Sequence, residues 1–89
     1  MKYSLIILDQ RTWQKDCAHL PKKELERMVE RINLLAENPL APGIGVKKLW
    51  HYDAADYRLK MGDYRILFNR DDTTHTIHLL RVLNRSKLY

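Results

Sequence analysis

Residues 57–68, Tyr57-Arg58-Leu59-Lys60-Met61-Gly62-Asp63-Tyr64-Arg65-Ile66-Leu67-Phe68, form the stretch on which the fold turns. Polar and apolar side chains alternate on both sides of Gly62-Asp63, a pair suited to a two-residue primed turn, so the run reads as a β-hairpin. With that turn as the loop, Met61 lies opposite Tyr64, Lys60 opposite Arg65, Leu59 opposite Ile66 and Arg58 opposite Leu67. Directly opposed residues share a face, and successive residues along a strand do not. One face therefore carries Tyr57, Leu59, Met61, Tyr64, Ile66 and Phe68. The other carries Arg58, Lys60 and Arg65, with Leu67 among them. Like charges gathered on one face repel and weaken a sheet. A bound anion relieves that repulsion, and phosphate is the leading candidate.

The rest of the chain sets bounds on what this hairpin serves. At 89 residues the sequence implies one small domain over 1–89, with a single core of marginal stability. A hydrophobic content of 45% fits a globular protein rather than a disordered one. No apolar run approaches the roughly 20 residues of a membrane-spanning helix. Only Leu5 to Leu8 are consecutively apolar near the start, too short for a secretory signal, and the lone Cys17 gives neither an intramolecular disulfide nor a zinc pattern. The expectation is a cytoplasmic protein in a reducing compartment, away from membranes. The net charge of +5 is uneven: residues 1–56 hold nine Lys and Arg against eight Asp and Glu, and residues 57–89 hold seven against three. That bias favours a polyanionic partner over a neutral small molecule.

Outward from the hairpin, Tyr3 to Leu8 reads as a strand, and Asp9 can cap the helix that follows. That helix sets Trp13, Cys17 and Leu20 on one face. Pro21 suits the first position of a second helix, in which Leu25, Met28, Val29, Ile32, Leu35 and Ala36 form an apolar stripe before Asn38-Pro39 ends it. Leu34 points nearly opposite that stripe. Residues 39–45 form a loop, Val46 to Trp50 a strand, residues 69–73 a turn, and His75 to Leu83 a nearly continuous apolar strand. Trp13 and Trp50 read as core. The order predicts an α+β fold: an N-terminal strand and a two-helix antiparallel hairpin packed on one face of a mainly antiparallel four- to five-stranded sheet. The apolar hairpin face should meet the helices and leave the cationic face open.

Val46-Lys47-Lys48-Leu49, Tyr57-Arg58-Leu59-Lys60, Gly62-Asp63-Tyr64-Arg65 and the ending Arg81-Val82-Leu83-Asn84-Arg85-Ser86-Lys87-Leu88-Tyr89 resemble the RelE/ParE toxin superfamily of bacterial and archaeal toxin–antitoxin systems. The order of elements agrees along essentially the whole chain. The resemblance implies one of two activities: RelE-like toxins cleave messenger RNA in the ribosomal A site, whereas ParE-like toxins inhibit DNA gyrase. It also implies a cognate antitoxin, with which the toxin can form a hetero-oligomer. Carried over by motif, the catalytic set is Arg58 and Lys60 on the first hairpin strand, Arg65 after Gly-x-Tyr, Arg85 after the last strand and the terminal Tyr89. Arg58 stands where the best-studied members have lysine, and the chain ends at Tyr89 where some members continue into a helix.

The residues themselves suit metal-free RNA cleavage, in which a 2′-hydroxyl attacks the adjacent phosphate and the 5′-oxygen leaves. Guanidinium groups match a pentavalent phosphate and act before any proton moves. Arginine stays charged, so a proton-accepting role falls to Lys60. No metal and no cofactor are expected: Asp71-Asp72 reads as a turn, and no carboxylate or histidine set has ligand spacing. His75 and His78, three apart on one strand, should face opposite sides and cannot act as an acid–base pair. Tyr89 suits stacking on a base in the A site. Lys47 and Lys48 on the strand before the hairpin, with Lys23 and Arg27 on the second helix, are the candidate contacts to RNA or ribosome. That helix balances its four cations with four glutamates, so it also reads as a solvated face. The leading reading is a ribosome-dependent endoribonuclease toxin. A gyrase inhibitor without nuclease chemistry and an inactive antitoxin-binding relative are the alternatives.

Overall fold

The computed structural model describes residues 2–87. Strand β1 (Ser4–Ile7) leads into helix α1 (Gln10–Ala18), and after a break at residues 19–21 comes helix α2 (Lys22–Glu37). Strands β2 (Val46–Lys48), β3 (Tyr57–Met61), β4 (Tyr64–Asp71) and β5 (Thr76–Asn84) follow, and a single 3₁₀ turn spans Arg85–Lys87. The sheet order is β1-β5-β4-β3-β2, with β1 parallel to β5 and every other pair antiparallel. This is the α+β arrangement expected from the sequence.

The hairpin forms in the register the alternation dictates, with Lys60 opposite Arg65, Leu59 opposite Ile66 and Arg58 opposite Leu67. Gly62 takes a φ of +57°, and Asp63 does not share the left-handed region. A two-residue loop with positive φ at its first central position is where glycine is favoured, because its missing Cβ removes the clash. Leu59, Ile66 and Phe68 are fully buried under Trp13, Met28, Ile32 and Leu35 of the helices. The apolar hairpin face therefore meets the helical layer, as its side-chain pattern requires.

Asp9 caps α1: its carboxylate accepts from the Thr12 backbone N–H at 3.1 Å and the Thr12 hydroxyl at 2.8 Å. Pro21 sits one residue earlier than expected, at the cap of α2 rather than within its first turn. The helices touch where Cys17 Sγ lies 4.0 Å from Met28 Sδ, and burial raises the pKa of that thiol.

Several expectations fail for identifiable reasons. Val29 is exposed, because the side of α2 that meets the core runs through Met28, Ile32, Leu35 and Ala36, with Leu25 partly buried beside them. Strand β4 runs on to Asp71, so the turn lies at residues 72–75 rather than 69–73. His75 falls in that turn with φ +52°, its ring edge-on to Tyr3 at 5.1 Å, and is not on the strand. Strand β2 stops at Lys48, which leaves Trp50 outside the core at 73% exposure. A bulge also interrupts the β4–β5 ladder: Leu67 pairs with Arg81 and Phe68 with Leu79, leaving Leu80 unpaired. The extra residue lets Leu79 and Val82, three apart, both face the helices.

Two carboxylates sit below their ordinary pKa: Asp9 because of the N–H and hydroxyl of Thr12, Asp71 because of the N–H groups of Thr74 and Thr73. A depressed folded pKa contributes stability that is complete well above the unfolded value of 3.8 and is lost as pH falls through the lower folded value. The thermal midpoint will therefore decline below about pH 4, and the Asp9→Asn, Asp71→Asn double variant will flatten that acid limb. A limb of unchanged slope would exclude these two groups as its source.

Candidate functional site

The ladder registers bring cations from three strands to one face of the sheet. Lys47 on β2 pairs with Arg58 on β3, which pairs with Leu67 on β4, and Lys60 pairs with Arg65. Lys47 and Lys60 are exposed, whereas Arg58 and Arg65 are half-buried. Sequence alternation placed Leu67 in the open among these charges, but it is fully buried. Residues 49–56 fold back over this face, and Ala55 closes on Leu67 with Leu49, Tyr52, Leu80 and Leu83 around them. That lobe is pinned by Leu49 N–H to Asp56 O (2.8 Å) and by Asp56 N–H to the Asn69 side-chain oxygen (2.7 Å). It walls one side of the cationic face and removes water from part of it.

The guanidinium groups are held differently from the amines. Arg58 donates from Nη1 to Gly45 O at 3.0 Å, and its Nε is buried without a partner, so it is committed to the sheet edge. Arg65 donates from one Nη1 to Gly62 O at 2.8 Å and Tyr64 O at 2.9 Å. Arg85 reaches the same turn from the far side: its backbone N–H donates to Asp63 O at 2.8 Å, and its Nε lies 3.8 Å from the Asp63 carboxylate. The Gly62-Asp63 turn thus brings Arg65 and Arg85 to one place. Among the described residues no carboxylate pairs with Lys60, whose amine is left to solvent. Tyr89 lies outside the described residues.

The candidate RNA contacts separate by side. Lys47 joins the cationic face, while Lys48 pairs with Tyr57 and belongs to the other side of the edge strand. Lys23 is exposed on the first turn of α2. Arg27 is pulled toward Glu24 at 3.5 Å, yet its Nη1 would lie 3.3 Å from a Cβ placed on Gly62, so it borders the hairpin turn. Arg31, which the sequence reading gave no role, donates to Ile44 O and, at 3.5 Å, to Lys60 O, fastening α2 to the β2–β3 edge. Arg27, Arg31, Lys60 and three glycines line a shallow groove of about 320 Å³ there.

Asp16 was missed altogether. Its buried carboxylate accepts from Arg81 Nε at 2.7 Å, from Arg81 Nη2 at 2.9 Å and from the Val82 backbone N–H at 3.0 Å. Strand β1 ends at Ile7, opposite Leu79, so beyond that point β5 has an open edge that Asp16 closes. The hydrogen bonds from Arg81 to Asp16 raise the guanidinium pKa, with burial opposing. Asp16 therefore anchors the strand end that carries Arg85. In sequence it looked like one more polar residue on an amphipathic helix, with no spacing signal to mark it.

No curated protein matches the chain closely enough to compare. Among solved structures it is similar to the RelBE2 toxin–antitoxin complex of Mycobacterium tuberculosis, at 29% identity and TM-score 0.77 over 96% of this chain and 100% of that one. It is similar also to the archaeal RelE–RelB complex of Pyrococcus horikoshii OT3, at 28% identity and TM-score 0.76 over 98% and 99%. The RelB–RelE antitoxin–toxin complex of Methanococcus jannaschii follows at 26% and 0.70, over 97% and 94%. Residues 5–89 match the family described as ParE toxin of type II toxin-antitoxin system, parDE. With the family model matching residues 5–89 and the fold similar to those three toxins, the chain belongs to the ParE toxin family, within the RelE/ParE superfamily of type II toxin–antitoxin toxins.

Proposed function

We propose that this toxin is a metal-independent endoribonuclease that cuts messenger RNA in the ribosomal A site. The observation that carries this reading is the convergence of Lys60, Arg65 and Arg85 around the hairpin turn, with Lys60 in no ion pair among the described residues and Arg65 fixed by two backbone carbonyls. In the proposed reaction Lys60, acting as the neutral amine favoured by the neighbouring guanidinium charges, takes the proton from a 2′-hydroxyl as its oxygen bonds to the adjacent phosphorus. Arg65 stabilises the negative charge gathered on the phosphate oxygens. Arg85 offers N–H donors to the departing 5′-oxygen, which takes up a proton from water, and the hydroxide left behind takes the proton that Lys60 gained. The products are a 2′,3′-cyclic phosphate and a free 5′-hydroxyl. Arg58, bound to Gly45 O, positions the edge of the site, and Tyr89 stacks on a base of the message. Catalysis of this kind depends on alignment of the 2′-oxygen with the phosphate, which the ribosome supplies by holding the message.

The partner proposed to silence the toxin is a cognate antitoxin, since the three relatives above were each solved with theirs. The family match favours a second reading, inhibition of DNA gyrase by binding alone, because its description names a ParE toxin. Parallel assays of in-vitro translation and gyrase supercoiling separate the two. The nuclease reading requires translation to stop with gyrase unaffected; loss of supercoiling with translation intact would replace it by the second.

A further inference from the structure

We propose that Trp50 is a stacking platform for an unpaired base of ribosomal RNA, on the side of the edge strand away from the reaction; this rests on the ribosome-directed reading above. Tryptophan is highly buried on average, and Trp13 follows that rule at 6% exposure, whereas Trp50 stands at 73%. Its exposure is built in. The lobe of residues 49–56 that bears it is closed by Leu49–Asp56 and Asp56–Asn69 hydrogen bonds and anchored by buried Ala55. The ring is also oriented: Lys48 Nζ lies 4.6 Å from its centroid, a cation–π contact. A cation on one ring face leaves the other to a flat partner and sits where it can meet the phosphate beside a stacked base. Among the described residues neither Lys47 nor Lys48 is in an ion pair, so both remain available to an anionic partner.

Register decides which RNA this is. Lys47 pairs with Arg58 and points to the cationic face, while Lys48 pairs with Tyr57 and points the other way. Trp50 goes with Lys48. Leu49 turns in toward Leu67 on the cationic face, whereas the Trp50 ring lies against Lys48, so a strand lying across Arg58, Lys60 and Arg65 runs along the Lys47 side of β2 and the indole contacts the Lys48 side. The base that reaches Trp50 therefore belongs to the surface on which the protein docks. Aromatic stacking serves this purpose because every base has a π-face and no particular sequence is needed.

The test compares wild type, Trp50→Ala and Trp50→Phe for binding to ribosomes with and without message, for antitoxin binding, and for single-turnover cleavage at saturating ribosomes. At this exposure neither substitution disturbs the core. Trp50→Ala should weaken ribosome binding roughly tenfold, with or without message, while the saturating cleavage rate and antitoxin affinity stay unchanged. Trp50→Phe should restore most of the affinity. Wild-type indole emission should be quenched on vacant ribosomes, and Trp50→Phe should lose that quench. Unchanged ribosome affinity in Trp50→Ala would overturn the proposal. So would a defect confined to message-bearing ribosomes, which assigns the base to the message, or one confined to the antitoxin, which assigns Trp50 to a protein contact. If wild type binds ribosomes without cutting, the nuclease reading fails while these binding arms still judge Trp50.

Discussion

Arg65→Ala and Arg85→Ala will each slow single-turnover cleavage of ribosome-bound message by a factor on the order of 10²–10³, with ribosome binding nearly intact. The expectation follows from how the two side chains are held. Arg65 needs no rearrangement to meet a phosphate, because Gly62 O and Tyr64 O already fix one of its nitrogens, and among the described residues the rest of the fork makes no ion pair. Arg65→Lys should recover only part of the rate, since an ammonium on a flexible stem cannot reproduce that fork. Arg85 is more loosely held, 3.8 Å from Asp63 at 63% exposure, so its effect arises when substrate draws it in. Lys60→Ala should be as damaging, and the rise of rate with pH expected of wild type should be absent from that variant. If both arginine variants lose ribosome affinity in proportion to activity, the residues only anchor RNA and the catalytic assignment falls.

Asp16→Ala should destabilise the fold by roughly 2–3 kcal/mol, mostly because it strands a buried donor. Val82 N–H would lose its acceptor, which costs about 1–3 kcal/mol. Arg81 is 42% exposed, so water compensates much of its loss and its share stays below about 1 kcal/mol. For a chain of this size the thermal midpoint should drop by roughly 10–20 °C. Asp16→Asn keeps one acceptor and should cost less. Below the melting range, the folded Asp16→Ala variant should still cleave slowly, because Arg85 follows directly from the strand end that Asp16 fixes. A midpoint within a few degrees of wild type would show that β5 holds its edge without this carboxylate.

The sequence made the hairpin legible because three signals agreed there: alternation, a glycine at the turn position that needs positive φ, and apolar residues on a single face. Its register, and with it the grouping of Arg58, Lys60 and Arg65, followed directly. Asp9 as a cap was legible for the same reason, since capping is a local interaction. What could not be read depended on distant contacts. Asp16 meets Arg81 across 65 positions, and nothing near either residue announces the other. Burial of Leu67 depends on a lobe whose path is set by hydrogen bonds to Asn69. Trp50 was read by hydrophobicity alone, a one-way guide, because large apolar residues also occur on surfaces, and Val29 was placed in the α2 stripe by helical spacing although it sits at the stripe's exposed margin. The side of the sheet to which Lys48 points became clear only once β2 was paired with β3.

The measurement that bears most directly on the proposed activity is primer extension on a defined message, incubated with purified toxin either free or on programmed ribosomes, with and without EDTA on the free RNA. The proposed mechanism predicts cuts within the A-site codon of the ribosome-bound message, little cleavage of the same message when free, and upstream fragments ending in a 2′,3′-cyclic phosphate. Efficient, EDTA-sensitive cutting of naked RNA, or an intact message on arrested ribosomes, would contradict it.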